Sequence, residues 1–209
     1  MHLAHWLRRL WDYNHTEFFT ERVLTSFDGF PINVCTSSNP WVARLTHSAK
    51  YGCSVVKCDL GISLCGHIVN YTGPHVGVRH DSRMWMDYPA RRASMYPWEW
   101  ALGDKAYVNC PEFICEHKHQ PRQPLTPAQL RFNDMLQFYR GRNEHEVAAV
   151  KCGRGALHGQ WRGSLAGLAA IVRIVVHMVA LQSRMTGPRY DCYGPWPVCP
   201  TAVAKAYYP

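Results

Sequence analysis

Apolar residues alternate with polar ones early in the chain and recur at helical spacing late in it. Phe30, Ile32 and Val34 occupy every second position, which predicts a first strand beginning near Ser26. Cys53-Ser54-Val55-Val56-Lys57-Cys58 and His67-Ile68-Val69-Asn70-Tyr71 read as two more strands, joined by a turn around Gly61 and ended by Gly73-Pro74. These three make an antiparallel meander. Asn39-Pro40 interrupts it and leaves 41–48 as a turn of helix or a loop. Residues 80–85 open a short helix, with Asp81 or Ser82 suited to cap it, and 86–98 read as loop. Trp100-Ala101-Leu102-Gly103-Asp104 predicts a fourth strand that stops at Asp104, and 113–115 a short further one.

The pattern then turns helical. Thr126 is an N-cap, Pro127 fits the first helical position, and Gln129 completes a capping box. That helix should run to about Lys151, tolerating Gly141 at a cost of roughly 1 kcal/mol. A second spans 164–184, with Leu165, Leu168, Val172, Val175 and Val179 on one face. Residues 1–25 read as a helical lead-in, with Trp6, Leu7, Leu10 and Trp11 at helical spacing. Pro188, Pro195, Pro197, Pro200 and Pro209 make 187–209 an extended, Pro-rich tail. Between them, 26–186 is one α/β (α+β) domain, a mixed sheet flanked by helices. A chain of 209 residues carries one core of ordinary size and little more.

Charge adds a partner class. A net charge of +8 favours a polyanion. Nine cysteines, an odd number, with no signal peptide at the start, point to reduced, mostly buried thiols in an intracellular protein. The apolar run 165–181 carries Arg173 and His177 and is short for a bilayer span, so no membrane association is expected. Cys110, Cys115, His117 and His119 lack the spacing of a structural zinc set; 117–124 is better read as a basic loop suited to a polyanion. Trp161, Tyr193 and Trp196 read as core or tail anchors. Gly153-Arg154-Gly155 lacks the strand–helix context of a nucleotide loop.

Three acids change the picture. Taken singly, Asp28 before Gly29 is a turn acid and Asp104 a capped strand end. Taken together with Glu144 on the long helix, they form the set a two-metal phosphoryl-transfer site requires. If strands one and four lie side by side, Asp28 and Asp104 converge, and Glu144 must lie on the helix face packed against that sheet. This is a ribonuclease H-like layout. Mg²⁺ takes hard oxygen ligands, and two ions roughly 3.5–4 Å apart activate an attacking oxygen and stabilise the leaving one. Glu146, well round the helix from Glu144, is expected to face solvent. Arg140 and Lys151 share the face of Glu144, which suits phosphate contact near the scissile bond.

The same residues resemble the DDE nuclease domain of Harbinger-type transposases and their host-derived relatives, the fungal versions especially, over most of 26–185. Asp28-Gly29 resembles the family's first acid, and Gly73 through His80-Asp81-Ser82 its Gly-x-x-His-Asp-Ser element. Leu102-Gly103-Asp104-Lys105-Ala106-Tyr107 resembles its second acid motif, and Asn133, Arg140, Glu144 and Lys151 its Asn…Arg…Glu…Lys helix. The resemblance implies a metal-dependent DNA endonuclease/transposase catalytic domain, acting in the nucleus. Asp28, Asp104 and Glu144 would be catalytic, would hold Mg²⁺ or Mn²⁺, and would have Asp81 as an auxiliary ligand. Arg140, Lys151, Lys118 and Arg122 would contact DNA phosphates. The alternative is a domesticated DNA-binding or protein-interaction module without nuclease activity. Phe30-Pro31 departs from the small polar residue common after Asp-Gly. Only 27 residues precede Asp28, too few for the family's upstream helix-turn-helix. That implies a truncated copy, a partial gene model or a relative with a separate DNA-binding partner, with little base readout by this chain itself. The partners expected are DNA and either such a protein or a second copy in a homodimer.

Overall fold

The computed structural model describes residues 23–119, 121, 123–152, 155 and 157–186. The Pro-rich tail lies outside them, as does the lead-in apart from 23–25, which open the first strand. Among the described residues the strands are β1 (Val23–Asn33), β2 (His47–Ser48), β3 (Cys53–Ser63), β4 (Ile68–Val76), β5 (Trp100–Gly103) and β6 (Phe113–Cys115). The helices are α1 (Pro40–Thr46), α2 (Asp81–Met86), α3 (Pro89–Ala93), α4 (Pro127–Cys152) and α5 (Leu165–Thr186), with a 3₁₀ turn at Lys105–Tyr107. The strands form one mixed sheet in the order β2-β3-β1-β5-β6, with β4 also paired to β3. β1, β3 and β4 make the antiparallel meander, while β5 joins β1, and β6 joins β5, in parallel.

Both faces of the sheet are covered, so its strands are apolar on both sides. Phe30 and Ile32 of β1, with Leu60 and Ile62 of β3, pack against Leu168, Val172, Val176 and Val179 of α5. Val23, Leu102 and Ile114 meet Phe132, Met135, Leu136 and Tyr139 of α4. Phe27 packs with Trp85 of α2, Tyr107 and Phe113. Its ring meets Trp85 edge-on at 5.1 Å. Trp161 borders the first of these clusters and bridges to Val34, in keeping with its reading as an anchor.

The start of α4 follows its signal. Thr126 N–H donates to Gln129 Oε1, and Gln129 N–H donates to Thr126 Oγ1. Several expectations need correction. Gly61 makes no turn: β3 runs through it, and the residue is glycine because a Cβ there would stand 2.4 Å from the Phe27 ring. The chain reverses instead around Gly66, at a positive φ of 85°. β4 continues through Gly73-Pro74 to Val76. The stretch read as loop contains α3, begun by Pro89 in its first turn. Asp81 is the first residue of α2 rather than its cap, which is His80. Six described cysteines are free, but Cys65 is disulfide-bonded, against the expectation of reduced thiols. By length and composition alone α5 is long and apolar enough to cross a bilayer, a test that core helices also pass. Its Leu168, Val172, Val176 and Ala180 are nonetheless buried in the core.

Candidate active site

Parallel pairing of β1 with β5 matches Ser26 to Leu102. Two residues further along each chain stand Asp28, inside β1, and Asp104, just past the end of β5. Asp104 Oδ1 accepts from Ala106 N–H at 2.8 Å, so it caps the 3₁₀ turn with one carboxylate oxygen. The bland and the chemical readings of Asp104 are therefore compatible. Asp28 shares its strand face with Ser26, whose Oγ accepts from Asn143 Nδ2 of α4 at 2.8 Å. Burial pushes the Asp28 carboxyl up to about 7, with Asp104, Asp59 and Asp81 adding to the rise and Arg140 opposing it. One half-buried acid thus feels three other carboxylates and one guanidinium.

Asp81 lies against β1 at Gly29. A Cβ on Gly29 would lie 3.2 Å from the Asp81 carboxyl, so glycine after Asp28 makes room for the third acid. Lys57 Nζ stands 3.4 Å from Asp81 Oδ1 and donates to the Arg79 carbonyl. Opposite Gly29 on β3 is Asp59, with no exposure at all. It accepts from Arg91 Nη1 of α3 at 2.9 Å and from the Tyr107 hydroxyl at 2.8 Å. Burial raises the Asp59 carboxyl, and those two donors pull against the rise. Arg91 also donates to Asn70 of β4. Its guanidinium carbon sits 4.2 Å from the centre of the Trp85 ring. The Leu-Gly-Asp-x-x-Tyr motif acquires a physical account here. Gly103 admits the rings of Phe113 and Tyr107, Asp104 caps the turn, and Tyr107 supports Asp59.

The α4 motif residues fasten the segment after β6. Asn133 accepts from His117 N–H at 2.8 Å and donates to its carbonyl at 3.0 Å. Arg140 Nη1 donates to Glu116 Oε1 at 2.7 Å, and Lys105 approaches the other oxygen of Glu116. Glu116, only 7% exposed, thereby pins two cations beside Asp28 and Asp104. The sequence reading missed Asp59, Arg91 and Glu116. For Asp59 a signal existed, a lone acid inside an apolar strand.

Two expectations about α4 are reversed. Glu146, expected in solvent, is 1% exposed, because it falls on the stripe of Phe132, Leu136, Tyr139, Asn143 and Val150. Glu144, expected on the packed face, falls one residue off that stripe and is exposed. It lies one turn beyond Arg140, yet the charges acting most on Asp28 do not include it. Lys118 is exposed and Lys151 half-buried, and Arg122 lies outside the described residues.

Residues 27–181 match the DDE superfamily endonuclease family, and the chain belongs to it. No curated protein and no solved structure matches. Among the described residues no three His, Cys, Asp or Glu side chains are gathered closely enough to hold a metal ion. The donor chemistry nonetheless suits a hard divalent cation. Asp28, Asp81 and Asp104 offer only carboxylate oxygens, and the repulsion that Asp104 and Asp81 exert on Asp28 is what a cation would relieve.

Proposed function

We propose that the chain is the catalytic domain of a Harbinger-type DDE transposase, a ribonuclease H-like, metal-dependent endonuclease that cuts and joins DNA in the nucleus. The observation that carries this reading is the placement of Asp28 and Asp104 on neighbouring parallel strands beneath α4. The sheet order also supports it, with the meander on one side of β1 and two parallel strands on the other. Asp28, Asp104 and Glu144 would hold Mg²⁺ or Mn²⁺, with Asp81 as the auxiliary ligand. Such ions, when bound, activate the attacking hydroxyl and stabilise the leaving oxygen.

The chain's own residues prepare that chemistry. Burial and the neighbouring acids hold the Asp28 carboxyl up at about 7, and a bound cation would favour its ionised form. Arg140, aligned by Glu116, sets a fixed cation that acts on Asp28 and would meet a phosphate there. Lys57 offsets the charge of Asp81. Lys118 and Lys151 would carry the DNA backbone beyond the acids, as would Arg122, which lies outside the described residues, giving affinity without base readout.

A second reading is a transposase-derived module that binds DNA or protein without cutting, and the exposed position of Glu144 favours it. Nicking of supercoiled plasmid with Mg²⁺ or Mn²⁺ separates the two. The wild type should nick, and folded Asp104→Asn should be slower by orders of magnitude. Equal nicking by both would remove Asp104 from the chemistry, and no nicking by either would favour the second reading.

A further inference from the structure

Between Asp28 and Asp59 the chain carries no acidic residue. That stretch supplies α1, β2 and the turn into β3, which wall an open groove of about 1020 Å³. Arg44, His47 and Lys57 line it, and none of its lining residues is acidic. Arg44, His47 and Lys50 are exposed. Asn39 caps α1 by accepting from Trp41 N–H at 2.9 Å, which fixes the helix at the rim. Trp41 precedes Arg44 by three residues, so the two share one side of α1. The Trp41 side chain is 64% exposed. Beyond β2, Lys50 Nζ sits 5.3 Å above the centre of the Tyr51 ring, a second exposed aromatic. Lys57 joins the groove to the acids, since it lines the one and contacts Asp81 among the other.

We propose that this groove holds a strand of DNA leading to the carboxylates, with phosphates on Arg44, His47 and Lys50 and an unpaired base against Trp41. The proposal rests on the endonuclease reading and names the surface that reading needs. Cations without acids attract any phosphate backbone, and an exposed indole stacks on any base that has left its pair. The groove should therefore prefer a frayed or overhanging end to a closed duplex, whatever its sequence.

Fluorescence titrations in EDTA test this, with a blunt duplex and the same duplex carrying a short single-stranded overhang. The wild type should bind the overhang more tightly, and Trp41→Ala should lose roughly tenfold of affinity for it. Arg44→Ala should make the slope of log affinity against log salt shallower by about 0.7 on single-stranded DNA. Both side chains are exposed, so the variants should keep the fold. If the wild type binds and nicks DNA but both variants match it, the groove proposal is overturned and the endonuclease reading stands. If the wild type binds no DNA, both fall. Arg44-dependent binding to phosphatidylserine vesicles with unaltered DNA binding would overturn the proposal in favour of a membrane surface.

Discussion

Replacing Asp28 by Asn should make the protein's stability less sensitive to pH, in a direction set by its burial and its acidic neighbours. The Asp28 carboxyl is pushed from 3.8 to about 7 by burial and by Asp104, Asp59 and Asp81, with Arg140 opposing. Between those values the folded chain keeps a proton that the unfolded chain has released. Wild-type stability therefore falls as pH rises through that window, and the penalty is complete above the folded value. Three units at roughly 1.36 kcal/mol each give about 4 kcal/mol. Asn cannot lose a proton and escapes the penalty. Its amide costs roughly 1–3 kcal/mol if left without partners, but equally at every pH, so it cancels in the comparison. Urea unfolding of both proteins in EDTA, at about pH 4 and about pH 8, measures the change. The Asn variant should gain about 4 kcal/mol on the wild type between the two conditions. A stability difference that does not move with pH would refute the idea that Asp28 is buried beside other acids.

Two further substitutions probe the frame around that cluster. Arg91→Met should cost roughly 3–5 kcal/mol in urea unfolding, because it strands the fully buried Asp59 without its counterion; a loss under about 1 kcal/mol would show that the Tyr107 hydroxyl alone suffices for Asp59. Thr126→Ala should cost about 1 kcal/mol and speed amide exchange in the first turn of α4, and unchanged exchange there would mean that the capping box contributes nothing.

What could be read from the sequence divides along physical lines. The start of α4 was legible because Thr126, Pro127 and Gln129 are neighbours whose bonding is local. The convergence of Asp28 and Asp104 was legible from strand order, since parallel neighbours bring distant residues level. Gly61 misled because a glycine that yields to a ring looks, in sequence, like one that turns. The choice between Glu144 and Glu146 on α4 failed for a related reason. A motif's spacing does not reveal which residue joins the buried stripe, and the stripe runs through Asn143 and Glu146. The Asp59–Arg91–Tyr107 network and the Glu116–Arg140 pair join segments far apart in the chain, and neither member of a pair announces the other.

The account turns on whether Asp28, Asp81, Asp104 and Glu144 form one cation site. Anomalous diffraction from crystals grown with Mn²⁺ and a short DNA duplex measures that directly. Mn²⁺ should appear between Asp28 and Asp104, with Asp81 close by and Glu144 turned in from solvent, and the peak should vanish in Asp104→Asn crystals. Mn²⁺ bound elsewhere, with Asp28 and Asp104 clear of it while DNA is in place, would contradict the account.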